Sequence, residues 1–422
     1  REPVEAPPGL CIRLPHQILL EVLSYLESRE IVRARSVARA FMSDAPALID
    51  SLRCWAGQRF PTASSMDLFP RITEVHLNGD INLINQAAPG LVRCGALRRL
   101  TILGSNIPQQ DPLPGETTAI LCGLQLSELD IRRVRIEVPT GLIMNAWRSL
   151  DSLVLREVGI NDSSLASLFA NLAGETLPLR RLDLSRNLLG DSDGTYLMSE
   201  ALRAFPHLET LELTADRISD SVAQQILGTL LDGSCPCLKL LELSLNFLGN
   251  SAINFLAEGL KREEHGLRSL ERLGFGGRFM PTQGLSHFNS LGRSLAVGGL
   301  PLLKFLHLQG DISLAEAGPL LRELRSGVIP SLVIVKVERS TRFPPEDDPS
   351  AVEDTIQSML ELVMCSNMPV LKEVHVLGMN LGKGLETGWA PEEKTAFYRA
   401  TNMSSFHRLA AAGSLRGVMI FV

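Results

Sequence analysis

The sequence lacks three features that would each define a class of protein. No apolar run reaches the roughly 20 residues that a membrane-spanning helix needs, so we expect no membrane segment. The 41 Lys and Arg residues are outnumbered by 47 Asp and Glu, and this net charge of −6 argues against a general nucleic-acid binder. The seven cysteines are scattered and odd in number, which favours a reducing compartment over a secreted disulfide framework. We therefore expect a cytoplasmic or nuclear protein.

A Leu-x-x-Leu-x-Leu spacing instead recurs through most of the chain. In the centre it starts at Leu179, Leu208 and Leu238, about 29 residues apart. Followed outward, it gives twelve strand units between Ile72 and Ile420. This is the signature of a leucine-rich-repeat solenoid, which exposes a row of short parallel strands and lacks the deep closed pocket of most enzymes. The pattern therefore favours recognition over catalysis.

In the second half of each repeat, apolar residues recur at the spacing of a helix. We therefore predict an α/β solenoid with strands on the concave face and helices on the convex face. Four short polar residues precede these helices and are predicted to cap their free N–H groups. They are Asp162, Asp191, Asp220 and Asn250. Asn187 and Asn246 follow their strands, where a side-chain amide can bond the backbone of the turn. The unit resembles the ribonuclease-inhibitor class of leucine-rich repeats.

The N-terminal segment does not follow the repeat. Residues 1–12 are rich in proline, and we assign them as a flexible lead. From residue 13 to 60 we predict a small helical module, and from 61 to 422 the repeat domain. The string from Leu14-Pro15 to Tyr25-Leu26, followed by Val37 and Phe41, resembles the F-box, although Phe41 stands where the family usually has Trp.

The F-box resemblance implies docking onto a Skp-type adaptor of a cullin-based SCF ubiquitin ligase. The apolar positions of the segment would be the anchors that enter the adaptor's groove. They are Leu14, Pro15, Ile18, Leu19, Leu23, Leu26, Val37 and Phe41. A different interpretation is that the same residues cap the open N-terminal end of the solenoid, which every repeat array must cover.

The residue between the last two leucines of each unit should project from the strand face. In chain order these are His76, Thr101, Asp130, Val154, Asp183, Glu212, Glu242, Gly274, His307, Lys336, His375 and Met419. Parallel strands lie about 4.8 Å apart, so Asp183, Glu212 and Glu242 would form a like-charge row that suggests a basic segment on a protein substrate. Alternatively, Arg181 and Arg186 offset this charge, or water screens it.

Other candidate chemistry is weak. Cys235 and Cys237 form a pair without the four ligands of a zinc site, and we expect Cys237 to pack beside Leu238. The three histidines of the row lie in different repeats, and the glycines around Phe275 lack the Lys-Ser/Thr ending of a phosphate-binding loop, so we expect them to relax a strand. Insertions at 343–349 and 382–413 could shape a substrate edge or be tolerated surface loops.

Together these features predict a non-catalytic substrate receptor without cofactor or metal, whose partners are a Skp–cullin complex and a protein substrate rather than nucleic acid or membrane. Two other interpretations stay open. One is a ligase-independent leucine-rich-repeat scaffold or inhibitor. The other is a GTPase-activating protein, a family that shares the repeat type, although no residue pattern here indicates it.

Overall fold

A computed structural model describes eleven segments of the chain. They are residues 50–55, 71–104, 112–136, 147–169, 172–190, 192–277, 287–310, 314–327, 329–339, 349–377 and 419–421. The chain divides into two compact units, residues 1–105 and residues 106–422. The F-box-like segment, including Leu14, Pro15, Val37 and Phe41, lies outside the described residues.

In the first unit, three parallel strands alternate with helix. Strand β1 (Ser51–Trp55) pairs with β2 (Glu74–Gly79), and helix α1 (Ile81–Leu91) leads to β3 (Arg99–Gly104), which pairs with β2 on its other side. Leu52, Val75 and Leu100 share one register position, and all three are buried. Asp80 caps α1, because its Oδ1 accepts the Leu83 N–H at 3.0 Å.

Strand β1 falls inside residues 13–60, which we assigned to the helical module. The repeat signature is present there as Ile49, Leu52 and Cys54, but its third position is a cysteine rather than a leucine. Both Leu52 and Cys54 are buried, as the inward positions of a repeat strand should be. The strand count among the described residues is therefore thirteen rather than twelve.

The second unit carries ten parallel strands, each hydrogen-bonded to the next in chain order. The strands are β4 (Glu128–Arg132), β5 (Ser152–Arg156), β6 (Arg181–Asp183), β7 (Thr210–Glu212), β8 (Leu240–Asn246), β9 (Arg272–Gly277), β10 (Phe305–Gly310), β11 (Ile334–Arg339), β12 (Glu373–Leu377) and β13 (Met419–Phe421). The helices are α2 (Gly115–Gly123), α3 (Asp162–Phe169), α4 (Ser192–Leu202), α5 (Asp220–Leu231), α6 (Asn250–Leu260), α7 (His287–Ala296), α8 (Leu314–Ser326) and α9 (Pro349–Val363).

The core of this unit lies between the strands and the helices. Consecutive helices from α3 to α9 pack side by side, so each coil adds one strand and one helix to the stack. Leu182, Leu211 and Leu241 occupy one register position of neighbouring strands, and each has 0% of its surface exposed. The predicted leucine-rich-repeat solenoid is confirmed. Within the described part of the chain, no helix combines the length and apolar character needed to cross a membrane.

The last strand shows a register different from the predicted one. Ile420 pairs with Val374 and Phe421 with His375. Ile420 therefore occupies the second apolar position of its unit, whereas we had placed it at the third. The strand-face row ends at Phe421 rather than at Met419, a shift of two residues that the alternation of side chains in a strand permits without exchanging inside and outside.

Helix starts also differ from the prediction. Helix α3 begins at Asp162, and its cap is the preceding Asn161, whose Oδ1 accepts the Ser164 N–H at 2.9 Å. Asp220 does not cap its own helix. Its Oδ1 accepts the N–H groups of Gly249 at 2.7 Å and Ala252 at 3.2 Å, so it caps the helix of the following coil.

Of the other two predicted caps, Asn250 lies inside α6, and its Oδ1 is buried without a hydrogen-bond partner among the described residues. Asp191 lies outside those residues. Short polar residues thus mark the helix starts in the sequence, but the one predicted cap shown to bind helix N–H groups, Asp220, binds those of the following coil.

Candidate binding surface

The central strand-face row has the register that the sequence predicts. Asp183 pairs with Glu212, Glu212 with Glu242, and Glu242 with Gly274, all in parallel register. Three acidic side chains therefore stand on three neighbouring strands, close enough for their charges to repel.

The first acid of the row is buried. Asp183 is 1% exposed, and its Oδ1 accepts the Ser185 N–H at 3.0 Å. Its Oδ2 lies 3.9 Å from Nη2 of Arg181, and the same Nη2 donates to Glu212 Oε1 at 2.8 Å. Arg181 thus sits between two acids, as the compensating interpretation expects, whereas Arg186 lies 4.0 Å from Glu157. Because Asp183 is buried, its carboxylate is not accessible to a partner. Binding of a partner by the row stays a prediction for Glu212 and Glu242.

The third acid occupies space that a glycine leaves free. The carboxylate of Glu242 lies over Gly274, where a Cβ atom would come within 2.0 Å of Oε1. Its Oε1 also accepts the Ser244 N–H at 3.2 Å. At Gly277 a Cβ atom would meet the Leu248 carbonyl oxygen at 1.9 Å. We expected these glycines to relax a strand; they instead permit close approach of a carboxylate and of neighbouring backbone.

Burial changes the pKa values of the second and third acids of the row. It raises the pKa of Glu212, and the nearby Asp183 raises it further, while Arg181 opposes the shift. Burial also raises the pKa of Glu242, against the effect of its hydrogen bonds from Ser244. Partial burial therefore makes the charged forms of Glu212 and Glu242 less favourable than they are in water.

The predicted hydrogen bonds of the turn asparagines are confirmed. Asn187 Oδ1 accepts the N–H groups of Val158 and Ile160, each at 3.1 Å, and its Nδ2 donates to the carbonyls of Leu155 and Leu184. One amide therefore ties its own strand to the preceding coil with four bonds.

Asn246 repeats the arrangement two coils later. Its Oδ1 accepts from Asp216 N–H at 2.8 Å and Ile218 N–H at 3.2 Å, and its Nδ2 donates to the carbonyls of Leu213 and Leu243. Such stacked amides fix the turns that follow the strands, so the residues next to them are held in place for contact with a partner.

We call the place that Asn187 and Asn246 occupy in their coils the ladder position. In the coil between them, an aspartate occupies this position. Asp216 is fully buried, and its Oδ1 accepts the Asn187 N–H at 2.6 Å. Its Oδ2, the counterpart of the donating Nδ2 of an asparagine, has no hydrogen-bond partner among the described residues. Burial raises the pKa of Asp216 well above its usual range, and Asp183 adds to the shift. Burial therefore favours the neutral form of the Asp216 carboxyl group over its carboxylate.

On the strand face of β10–β12, polar side chains instead pair with one another. His307 Nε2 lies 3.4 Å from Glu338 Oε2, Lys336 also contacts Glu338, and His375 Nε2 lies 2.8 Å from Glu373 Oε2. Burial lowers the pKa of His307, and Lys336 lowers it further. Within the described ranges, no group of three or more His, Cys, Asp or Glu side chains is arranged to hold a metal ion.

The cysteine pair contradicts one expectation. Cys235 is buried and Cys237 is exposed, whereas we expected Cys237 to be the packed residue. The Sγ of Cys235 lies 3.4 Å from the Leu202 carbonyl oxygen, and burial raises its pKa to about 12. Such a thiol is a packing group rather than a nucleophile at neutral pH.

Several predicted features fall outside the described residues. These are the adaptor-binding positions, residues 343–348 of the acidic loop and the insertion at 382–413. Pro349, at the end of the acidic loop, is the first residue of α9.

No family model matches the sequence. Among solved structures, a chain in the crystal structure of a TLR13–ssRNA13 complex matches with 18% sequence identity and a TM-score of 0.45. The match covers 82% of this chain and 46% of that chain, so this protein spans less than half the length of that neighbour. The leucine-rich-repeat assignment rests on the coils themselves, and a solenoid of this class is a scaffold for binding a protein or another ligand.

Proposed function

We propose that this protein is the substrate-recognition subunit of an SCF-type ubiquitin ligase. The F-box-like segment would dock a Skp adaptor and its cullin, the repeat array would capture a protein substrate, and the partners would supply the chemistry. The observation that carries the proposal is a stacked array of recognition strands directly after a Leu14-Pro15 segment with F-box spacing.

Two physical features of the array support a role in capture. Its strand faces are held by backbone register and side-chain hydrogen bonds, so a partner meets a surface that is already ordered. The second feature is chemical. Ordered coils with polar, partly exposed faces suit recognition of a protein surface, whereas the described residues bring together no nucleophile with a neighbouring base.

The first experiment tests adaptor docking with the full chain. Replacing Leu14 and Pro15 together with Ala should abolish co-purification of a Skp adaptor, because these residues would be anchors in its groove. Replacement of Pro8 and Leu10 with Ala removes the same two side-chain types from the predicted flexible lead and should leave the adaptor bound. A parent protein that binds no Skp adaptor would favour the ligase-independent scaffold instead.

The second experiment tests substrate capture by the acidic row. Glu212→Lys should reduce the amount of a basic protein substrate recovered but not the amount of adaptor, and added salt should mimic the substitution, because exposed charge pairs are screened over about 8 Å at physiological ionic strength. Glu209→Lys is the matched control. It also reverses one charge and breaks an ion pair with a neighbouring arginine, together with one to Lys239, but it lies just before the strand. An unchanged set of captured proteins would remove the row from the mechanism.

A further inference from the structure

Two rows of exposed and partly exposed residues run along the ends of strands β4 to β8 and the turns that follow them. The first consists of Arg133, Glu157, Arg186, Ala215 and Leu245, and each of these residues has φ between 58° and 64°. Their backbones are joined from coil to coil. The N–H of Arg133 donates to the Arg156 carbonyl at 3.0 Å, that of Glu157 to Ser185 at 3.0 Å, and that of Arg186 to Thr214 at 2.8 Å.

The second row lies two residues further along each turn and directly follows the ladder position. It consists of Arg135, Gly159, Leu188, Arg217 and Phe247, all of which are exposed. Leu188 N–H donates to the Ile160 carbonyl at 2.8 Å and Phe247 N–H to that of Ile218 at 2.9 Å, so these residues are also fixed to the neighbouring coil. We call the ten residues of the two rows the corner surface.

The corner surface has an excess of positive charge. It contains four arginines and one acid, in a protein whose net charge is −6. Arg133 and Arg186 share that acid, with Glu157 Oε2 at 3.6 Å and 4.0 Å from their guanidinium nitrogens. Arg135 and Arg217 have no ion-pair partner among the described residues. The nearby Asp216 is fully buried and forms no ion pair with either of them.

Apolar side chains stand among these cations. Leu188 is 46% exposed and Phe247 is 38% exposed, although both lie on coils whose inward positions are fully buried. Neighbouring strands lie about 4.8 Å apart, so the five coils span roughly 19 Å, the length of about six residues of extended chain. Arginine and aromatic anchors on a rigid frame are the usual centre of a protein-binding site.

We propose that the corner surface binds an extended acidic segment of a partner protein that also carries large apolar side chains. The carboxylates of the segment would pair with Arg186, Arg217 and Arg135, and its apolar side chains would cover Leu188 and Phe247. The apolar members of the surface favour a polypeptide over nucleic acid, because phosphates would leave them uncovered. The proposal holds whether or not residues 13–60 dock a ligase adaptor.

The test uses the full chain and a display library of random twelve-residue peptides. Enriched peptides should carry net negative charge together with Leu, Ile or Phe. Resynthesised and measured by fluorescence anisotropy, they should bind Arg186→Glu/Arg217→Glu at least about tenfold more weakly, because like-charge juxtaposition replaces attraction. Leu188→Ser should weaken binding by roughly threefold, since it removes apolar contact area.

The matched control is Arg203→Glu/Lys261→Glu, which makes the same change of charge at two exposed positions, one directly after α4 and one directly after α6. It should leave peptide affinity within about twofold of the parent, as expected for charges beyond a Debye length of the site. A twelve-nucleotide oligodeoxythymidylate is measured in parallel. The proposal is overturned if no peptide is enriched, if enriched peptides are not acidic or bind the double variant equally well, or if only the oligonucleotide depends on these arginines. Adaptor co-purification, measured separately, reports on the ligase proposal alone.

Discussion

The coils of β6–β8 and the coils of β10–β12 share one strand register but hold their exposed faces in different ways. In the central coils, polar side chains turn back onto the backbone, so Asp183, Asn187 and Asn246 are buried with backbone N–H groups as partners. In the later coils, partly exposed ion pairs such as Lys336 with Glu338 cover the strands.

The difference shows where polar groups contribute to the stability of a solenoid. A buried side chain that satisfies backbone groups leaves them unpaired when it is removed, at a cost of about 1–3 kcal/mol for each group. An exposed ion pair contributes only about 0–1 kcal/mol, because water replaces it readily. The two sets of coils should therefore respond equally to loss of apolar packing and unequally to loss of polar side chains.

The largest expected effect is the one on which the two regions should agree. Leu213 in the central coils and Leu308 in the later coils are both 0% exposed at the third position of the repeat. Replacement of either with Ala should lower the free energy of unfolding by about 2–5 kcal/mol, measured by urea denaturation. Leu302→Ala, at a residue that is 48% exposed, serves as the control and should change little. A wild-type transition for Leu213→Ala would show that the register of β7 is misplaced.

A smaller effect should separate the two regions. Asn246→Ala removes four hydrogen bonds to backbone groups and should destabilise the protein by about 1–3 kcal/mol or more. Glu338→Ala in the later coils removes contacts to Lys336 and His307 and should cost under about 1 kcal/mol. Both are measured by the same denaturation experiment, and equal losses would contradict the distinction between the two kinds of face.

The inward positions could be predicted from the sequence because they depend on spacing alone. A leucine at a fixed position of the repeating signature must be buried in any register that stacks the coils, and Leu182, Leu211 and Leu241, at the second apolar position, bear this out. The unit at Leu52 was missed because Cys54 takes the third position, and that at Ile420 was shifted because alternation cannot distinguish a displacement by two residues.

The candidate site was harder to predict, because its properties depend on which coil a side chain reaches. Asp183 has the same place in its repeat as Glu212, yet the shorter side chain is buried, while Glu242 depends on Gly274 in the next coil. The corner surface did leave a signal in the sequence. Aligning the residue after each ladder position gives Arg135, Gly159, Leu188, Arg217 and Phe247, a row that becomes a surface only once the coils are stacked.

The smallest expected effect lies within the central coils themselves, between Asp216 and the asparagines on either side. Below about pH 4 both the folded and the unfolded chain hold a proton on this carboxyl, since an unperturbed aspartate has a pKa near 3.9. Above that pH the unfolded chain loses the proton and the folded one keeps it, because burial raises the folded-state pKa. The contribution of Asp216 to stability is therefore fully present at low pH and is lost as the pH rises toward the folded-state pKa.

Asp216→Asn should remove this pH dependence, because an amide does not titrate. It also places a donor at the Oδ2 position. By analogy with Asn187 and Asn246, that donor can bond the backbone carbonyls of Leu184 and Leu213. The gain should be about 1 kcal/mol near neutral pH, the net value of one satisfied buried hydrogen bond. Because Asp183 raises the pKa of Asp216 and Arg156 lowers it, both stay unchanged in the experiment.

The control is Asp151→Asn, which makes the same chemical change at an exposed residue and should shift neither stability nor its pH profile. Unfolding free energies measured from pH 4 to pH 8 should show the advantage of Asp216→Asn growing with pH. A constant difference would mean that the folded protein does not hold the extra proton, and that the carboxylate is accommodated in the ladder as an ion.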